Sequence, residues 1–118
     1  MEFLGLRTLV YPTANLDQSK DWWKNFLGID PYFDQPFYVG FNVGGYELGL
    51  NPAGSLEHGP VTYIGVDSMP MAISRAQAQG ATVEGPPQDV GEGIEVATLL
   101  SATGERFGLI VNPNFRLP

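Results

Sequence analysis

Three residues of types that can do chemistry, Glu47, Tyr63 and Arg106, each stand in a short run of β-prone sequence. A carboxylate beside aromatic rings can bind a flat or cationic organic molecule through charge, stacking and cation–π contacts. A carboxylate in an apolar trough can instead act as a general base that takes a proton from carbon. The sequence leaves both chemistries open.

Other reactive groups are scarce. The chain has no cysteine, which excludes disulfides, thiolate metal sites and a cysteine nucleophile. The only histidine, His58, follows Glu57 in a stretch rich in proline and glycine. A lone histidine in such a stretch is more often a solvated or interface residue than a metal ligand, so we do not assign it to a site.

Thirteen acidic residues against six basic ones give the chain a formal charge of −7. A surface of this sign repels phosphate backbones, so we expect no nucleic-acid partner, and it favours cationic over anionic ligands. The first residues show no signal peptide, and no uncharged apolar run approaches membrane-spanning length. We therefore expect no membrane partner and a cytoplasmic location.

The first half of the chain contains a strand, a helix and three further β-prone runs. Residues 4–11 are rich in Leu, Val and Thr and are typical of a strand. The helix extends over residues 16–27, with Asn15 as its N-cap and Gly28 as a left-handed C-cap. The three β-prone runs follow between residues 31 and 50, with a Gly-Gly turn before the last.

The second half repeats this order. Residues 61–66 predict a strand, and Asp67 or Ser68 begins a helix that runs to residue 79 and stops at Gly80. Further strands are predicted at residues 81–84, 94–100 and 106–111, with residues 86–93 as a loop.

The spacing of the two halves agrees. Asn15 and Gly28 are thirteen residues apart, as are Asp67 and Gly80, and each half ends in a Gly-x-x-x-Gly-Leu motif. A repeated unit of this size indicates an internal duplication. We predict one domain over residues 1–118, with module one at about 4–51, a linker at 52–60 and module two at about 61–113.

Several local motifs resemble those of the vicinal-oxygen-chelate superfamily, which includes glyoxalases, bleomycin resistance proteins and extradiol dioxygenases. The motifs are Val10-Tyr11-Pro12-Thr13-Ala14-Asn15-Leu16, Trp22-Trp23, Phe26-Leu27-Gly28, Tyr63-Ile64-Gly65-Val66-Asp67, Gly80-Ala81 and Thr103-Gly104-Glu105-Arg106-Phe107-Gly108-Leu109. The resemblance implies an α+β fold in which two tandem βαβββ modules form a curved mixed sheet. The helices lie on the convex side of that sheet, and the concave side is a ligand trough. It also implies a homodimer.

Strand alternation assigns side chains to the trough, because successive residues point to opposite faces. If Leu48 and Leu50 face the helix, then Glu47 and Gly49 face the trough. The same count in module two places Val61, Tyr63, Arg106 and Gly108 inward. The predicted ligand-binding set is Thr8, Phe41, Glu47, Gly49, Val61, Tyr63, Arg106 and Gly108, with Glu47 as the candidate catalytic residue.

The metal ligands that the resemblance implies are missing. The four ligand positions of metal-dependent relatives map onto Thr8, Gly49, Val61 and Gly108, and these residues do not supply the several N or O donors that a divalent ion needs. A shift of two residues would put Glu47 in place of Gly49, which still gives too few donors. We therefore predict no metal and no cofactor.

These observations favour a metal-independent small-molecule binding protein of the bleomycin-resistance type that sequesters a planar or cationic compound. The alternative is a glyoxalase- or dioxygenase-like lyase or isomerase, using a metal held elsewhere or Glu47 as general base. A structural ion pair between Glu47 and Arg106 is a third, purely architectural interpretation.

Overall fold

The computed structural model describes residues 1–115, which form nine strands and two helices. In chain order these are β1 (Phe3–Pro12), α1 (Leu16–Leu27), β2 (Phe33–Gln35), β3 (Tyr38–Val43), β4 (Tyr46–Asn51), β5 (Val61–Val66), α2 (Met69–Ala78), β6 (Thr82–Val83), β7 (Gln88–Gly91), β8 (Ile94–Leu100) and β9 (Arg106–Val111). Neither helix is long and apolar enough to span a membrane.

These elements divide into two compact units. The first, which we call unit A, covers Thr8–Pro60; the second, unit B, consists of Met1–Arg7 and residues 61–115. Strand β1 therefore contributes its beginning to unit B and its end to unit A.

In unit A the strands follow the order β2-β3-β4-β1. β1 runs parallel to β4, and the other neighbours are antiparallel. Gly44 and Gly45 connect β3 to β4 with φ angles of 61° and 94°. Two successive positive φ angles are the geometry of a tight hairpin turn, which confirms the predicted Gly-Gly turn.

Helix α1 begins and ends where the sequence predicts. Asn15 has an extended backbone, and its side chain accepts a hydrogen bond from the Gln18 N–H at 3.1 Å. Gly28 has a φ of 71°, and its N–H donates to the Lys24 carbonyl at 2.9 Å. Both caps satisfy backbone groups that the helix leaves without partners.

The core of unit A lies between α1 and one face of its strands. Val39, Phe41 and Leu50 are almost completely buried there. The helix covers them with Leu16, Trp23 and Leu27, whereas Tyr11 and Leu48 pack from the strands. Phe41 pairs with Leu48 across the β3–β4 ladder, so it points toward the helix. The prediction that Phe41 lines the ligand site is therefore wrong.

Unit B uses the same arrangement. Its strand order is β1-β5-β9-β8-β6, with β5 parallel to β9 and β8 antiparallel to its neighbours. Ser68, one of the two predicted caps, accepts the Met71 N–H and begins α2. The buried cluster between α2 and the sheet consists of Val66, Met69, Ala72, Ala97, Leu99 and Leu109.

Residues 86–93 differ from the prediction of a simple loop. They contain β7, which pairs antiparallel with β8. Gly91, Glu92 and Gly93 all have positive φ and turn the chain back into β8. Each unit otherwise has the order βαβββ, and the predicted α+β class with a mixed sheet and two helices is confirmed.

A short polar network closes the turn between β8 and β9. The Ser101 hydroxyl donates to the Glu105 carboxylate at 2.7 Å, and the Thr103 hydroxyl donates to the same oxygen. Hydrogen bonds from Thr103 and then Ser101 lower the pKa of Glu105, because they favour its charged form.

The N-cap of α1 gives a stability prediction. Asn15→Ala removes the acceptor for the Gln18 N–H and should lower the free energy of unfolding by about 1 kcal/mol. Asn15→Asp keeps an acceptor of the same size and should lose much less. Urea denaturation followed by circular dichroism measures both changes, and equal losses in the two variants would contradict the capping role.

Candidate functional site

The side chains opposite α1 in unit A form a face that we call the Glu47 face. It comprises Thr8, Tyr32, Tyr38, Gly40, Glu47 and Gly49. In the ladders, Thr8 pairs with Glu47, and Gly40 pairs with Gly49. Tyr32 precedes β2 and donates its N–H to the Gly40 carbonyl at 2.9 Å. Strand pairing therefore brings residues distant in sequence onto one small surface.

Glu47 is held by two tyrosines. The Tyr38 hydroxyl donates to Glu47 Oε1 at 2.8 Å, and the Tyr32 hydroxyl donates to Oε2. Hydrogen bonds to an ionised acceptor are shorter and stronger than neutral ones. The two phenols thus fix the position of the carboxylate, which is half-buried, while Tyr32 itself remains 62% exposed.

Two glycines make room for this arrangement. A Cβ at Gly49 would overlap the Tyr38 hydroxyl. A Cβ at Gly40 would lie 2.8 Å from Glu47 Oε2 and 3.0 Å from Tyr32 Cε1, both too close for an ordinary contact. The tyrosines and the carboxylate can therefore lie against the backbone only where side chains are absent.

No ion pair neutralises Glu47 within residues 1–115. Lys20 pairs with Asp34 at 3.2 Å, and Lys24 pairs with Asp30 at 3.1 Å. Arg106 pairs with Glu84, with Nε 2.7 Å from Oε1. Glu84 is therefore the acidic partner of Arg106 within unit B, and within unit A the Glu47 carboxylate is bound by phenol hydroxyls.

Aromatic rings extend the Glu47 face beyond Tyr38. Phe33 pairs with Gly40 in the β2–β3 ladder, and its ring centroid lies 6.2 Å from that of Tyr38. Phe37 lies 5.9 Å from Phe33 in an edge-to-face arrangement and is largely exposed. Residues 32–38 thus supply four aromatic side chains, Tyr32, Phe33, Phe37 and Tyr38, and the two tyrosines bind the Glu47 carboxylate.

The predicted residues of module two lie in unit B. Tyr63 pairs with Gly108, and a Cβ at Gly108 would overlap the Tyr63 ring. Val61 is buried, and Arg106 is engaged by Glu84 as described. Tyr63 therefore packs its ring against Gly108 of β9, whereas Tyr38 packs its hydroxyl end against Gly49 of β4.

The donor set does not fit a metal ion. Thr8, Gly49, Val61 and Gly108 offer only one side-chain oxygen among them. In the part of the chain that the structure describes, no three His, Cys, Asp or Glu side chains cluster as a metal site requires. His58 is exposed in the segment between β4 and β5.

Comparison with known proteins identifies the fold. No protein-family model matches the chain, and no curated protein matches it significantly. Among solved structures, a glyoxalase/bleomycin resistance protein/dioxygenase superfamily member from Vibrio splendidus has a TM-score of 0.68 at 14% identity, covering 90% of this chain and 97% of that one. The chain has the vicinal-oxygen-chelate fold.

Other solved structures with a similar fold are described as enzymes of different activities. A variant of Streptomyces coelicolor methylmalonyl-CoA epimerase in complex with 2-nitronate-propionyl-CoA has a TM-score of 0.79 at 10% identity, over 95% of this chain and 99% of that one. An NAD-dependent benzaldehyde dehydrogenase from Legionella pneumophila has a TM-score of 0.68 at 18% identity, over 88% and 96%. At such identities the similarity establishes the fold alone.

The close approach at Gly49 gives a second stability prediction. Gly49→Ala should destabilise unit A by about 1–3 kcal/mol, because the new methyl group must displace Tyr38. The cost should fall when the same change is made in a Tyr38→Ala background, where no phenol lies in the way. Unfolding free energies of the four proteins in this double-mutant cycle provide the test. If Gly49→Ala lowers the free energy of unfolding by the same amount in the Tyr38→Ala protein, the destabilisation does not come from a clash with Tyr38.

Proposed function

We propose that this protein is a metal-independent small-molecule binding protein whose Glu47 face holds a planar organic cation. The observation that carries the proposal is the Glu47 carboxylate, which is fixed by Tyr32 and Tyr38 and forms no ion pair with a lysine or arginine of residues 1–115. A cationic ligand would supply the counter-charge that the described chain does not.

The aromatic side chains supply the second part of the interaction. A cation over an aromatic face gains about 0.5–2 kcal/mol, with the larger value where water is excluded. An exposed ion pair adds only about 0–1 kcal/mol. Neither contact alone gives useful affinity, so the proposed ligand must meet Glu47 and several of the rings of Tyr32, Phe33 and Phe37 together. A flat compound with a positive charge satisfies both requirements.

The charge of the whole chain acts in the same direction. A formal charge of −7 raises the local concentration of cations around the protein and favours their encounter with the site. The fold also supports a binding role, since one solved neighbour is described as a glyoxalase/bleomycin resistance protein/dioxygenase superfamily member. Sequestering a compound without transforming it is the role we infer, and the homodimer implied by the resemblance stays a prediction.

A proton-transfer enzyme is the second candidate. Its supporting observation is that one carboxylate and two phenol hydroxyls converge on the Glu47 face. Glu47 could take the proton from a carbon next to a carbonyl; the electron pair of the C–H bond then forms a carbon–carbon double bond as the π pair of the carbonyl moves to its oxygen. A tyrosine hydroxyl could donate a hydrogen bond to that oxygen, and return of the proton to carbon would complete the reaction. Similarity to a methylmalonyl-CoA epimerase points to this class.

The binding proposal is tested with benzyltrimethylammonium, a small aromatic cation. In a ¹H–¹⁵N correlation spectrum it should shift the amide signals of Gly40, Glu47 and Gly49, with a Kd near the millimolar range, equivalent to about −4 kcal/mol. Neutral benzyl alcohol and anionic benzoate should leave these three signals unchanged, because neither provides a positive charge.

Glu47→Gln should weaken this binding at least about fivefold, which corresponds to roughly 1 kcal/mol and matches an ion pair with partial burial. The matched control is Glu57→Gln, which makes the same change in charge at an exposed position of unit A. Equal losses of affinity in the two variants would mean that the net charge of the protein alone determines binding. That result would contradict a binding site at Glu47. Shifts of equal size with benzyl alcohol would contradict the cation preference.

The enzyme candidate predicts exchange of a carbon-bound proton. Incubation with methylmalonyl-CoA in D₂O should place deuterium at the carbon between the two carbonyl groups faster than heat-denatured protein does, as measured by mass spectrometry. Glu47→Gln should abolish the excess rate while Glu57→Gln keeps it. If the wild-type protein gives no deuterium exchange above the denatured control, methylmalonyl-CoA is not a substrate, and the binding proposal is the one that stands.

A further inference from the structure

Unit B contains a pocket of about 270 Å³ that none of the preceding interpretations uses. It lies where β1, β5 and the residues after β9 meet. Its polar lining comes from Arg7, Asp67 and Asn112, and its apolar lining includes Leu4, Ile110 and Phe115.

Arg7 is held in place by contacts along its whole length. Its stem crosses β5 at Gly65, where a Cβ would lie 2.8 Å from Arg7 Cγ and 2.9 Å from Nε. Its guanidinium carbon lies 3.9 Å from the centroid of the Phe115 ring. A planar guanidinium stacked on an aromatic face keeps its N–H groups in the plane available for hydrogen bonds.

The charge of Arg7 forms no ion pair with any carboxylate of residues 1–115, although the chain has thirteen acidic residues. Arg75 is likewise stacked on a phenylalanine, Phe3, without an ion pair, but it is exposed to solvent. Arg7 differs because it is half-buried at the wall of a pocket. Taking a charge partly out of water is costly, and a counter-ion in the pocket would offset that cost.

We propose that this pocket binds a small organic carboxylate. The Arg7 guanidinium pairs with the carboxylate group, since its forked N–H groups match two carboxylate oxygens. Leu4 and Ile110 contact the apolar body of the ligand. The site lies in the other unit from Glu47, prefers the opposite charge and stands independently of the proposed function.

The lining also restricts the kind of anion. Asp67 contributes a second carboxylate, whose Oδ1 accepts the Glu2 N–H at 2.8 Å. One arginine facing one aspartate disfavours multiply charged anions such as phosphate esters, because the added negative charge is repelled. The overall charge of −7 disfavours anions at long range, but such forces are screened beyond about 8–10 Å at ordinary ionic strength. A singly charged carboxylate with an apolar body is the ligand that remains.

Benzoate is the probe that tests the proposal, with neutral benzamide as its isosteric control. Benzoate should shift the amide signals of Gly65, Ile110 and Asn112 in a ¹H–¹⁵N correlation spectrum, and benzamide should shift them at least tenfold less at equal concentration. Arg7→Gln should weaken benzoate binding at least tenfold. The matched control Arg75→Gln removes the same charge from the arginine stacked on Phe3 in unit B and should bind as the wild type does.

Two further variants keep the test decisive. Arg7→Lys retains the charge and the stem, so it should fold even if Arg7→Gln does not, and it should lose several-fold in affinity because it lacks the fork. Asp67→Asn keeps an acceptor for the Glu2 N–H and removes a repulsive charge, so it should bind benzoate more tightly.

The proposal is overturned if benzamide binds as well as benzoate, if Arg7→Lys binds as the wild type does, or if Asp67→Asn binds more weakly. Equal losses in Arg7→Gln and Arg75→Gln would overturn it as well, since the effect would then be one of net charge. Glu47→Gln should leave benzoate binding intact, and therefore failure at one site is distinguishable from failure at the other.

Discussion

The need to bury one face of each set of strands determines where every functional side chain lies. A strand alternates its side chains between two faces, and in each unit one face is covered by a helix. Val39, Phe41 and Leu50 occupy the covered face in unit A, and Val66, Leu99 and Leu109 occupy it in unit B. A slip of one residue in register would expose these residues, so the core fixes the register. Glu47, Tyr38 and Tyr63 are consequently placed on the opposite faces.

Glycine gives those opposite faces their shape. Tyr38 lies across Gly49, Tyr63 across Gly108 and Arg7 across Gly65. In each pair a long side chain from one strand occupies the space that a Cβ on the neighbouring strand would fill. These side chains therefore lie against the backbone of the neighbouring strand and do not extend into solvent. Gly49 and Gly108 occupy positions at which the resemblance implies metal ligands. In this chain each of these glycines instead leaves room for a tyrosine side chain.

The elements of the fold follow from local sequence signals. Asn15 and Gly28 define α1, and the Gly-Gly turn defines the β3–β4 hairpin, because capping and positive φ are local requirements. The same turn also fixes the partner of each residue: counting outward from it pairs Asn42 with Glu47 and Phe41 with Leu48. That count places Phe41 on the helix side, so the turn and the pattern of β4 together assign Phe41 to the core.

Other parts of the sites depend on pairings that local sequence does not specify. Tyr32 reaches Glu47 because β2 pairs with β3. The segment between these two strands contains no clear turn motif from which their register could be predicted. Arg106 meets Glu84 only because β6 and β9 flank the same strand, β8. Arg7 gains its pocket from Phe115, which lies more than a hundred residues away in the chain. Such long-range contacts are set by the assembled sheet, and periodicity alone does not reveal them.

The measurement that tests the central claim most directly is an intermolecular nuclear Overhauser experiment on the wild-type protein with benzyltrimethylammonium. If the Glu47 carboxylate and its two tyrosines form a cation site, the N-methyl protons of the probe should show cross-peaks to the ring protons of Tyr32 and Tyr38. Cross-peaks confined to other aromatic side chains, such as Trp22 or Phe26, would contradict the account, because they would place the bound cation away from the fixed carboxylate.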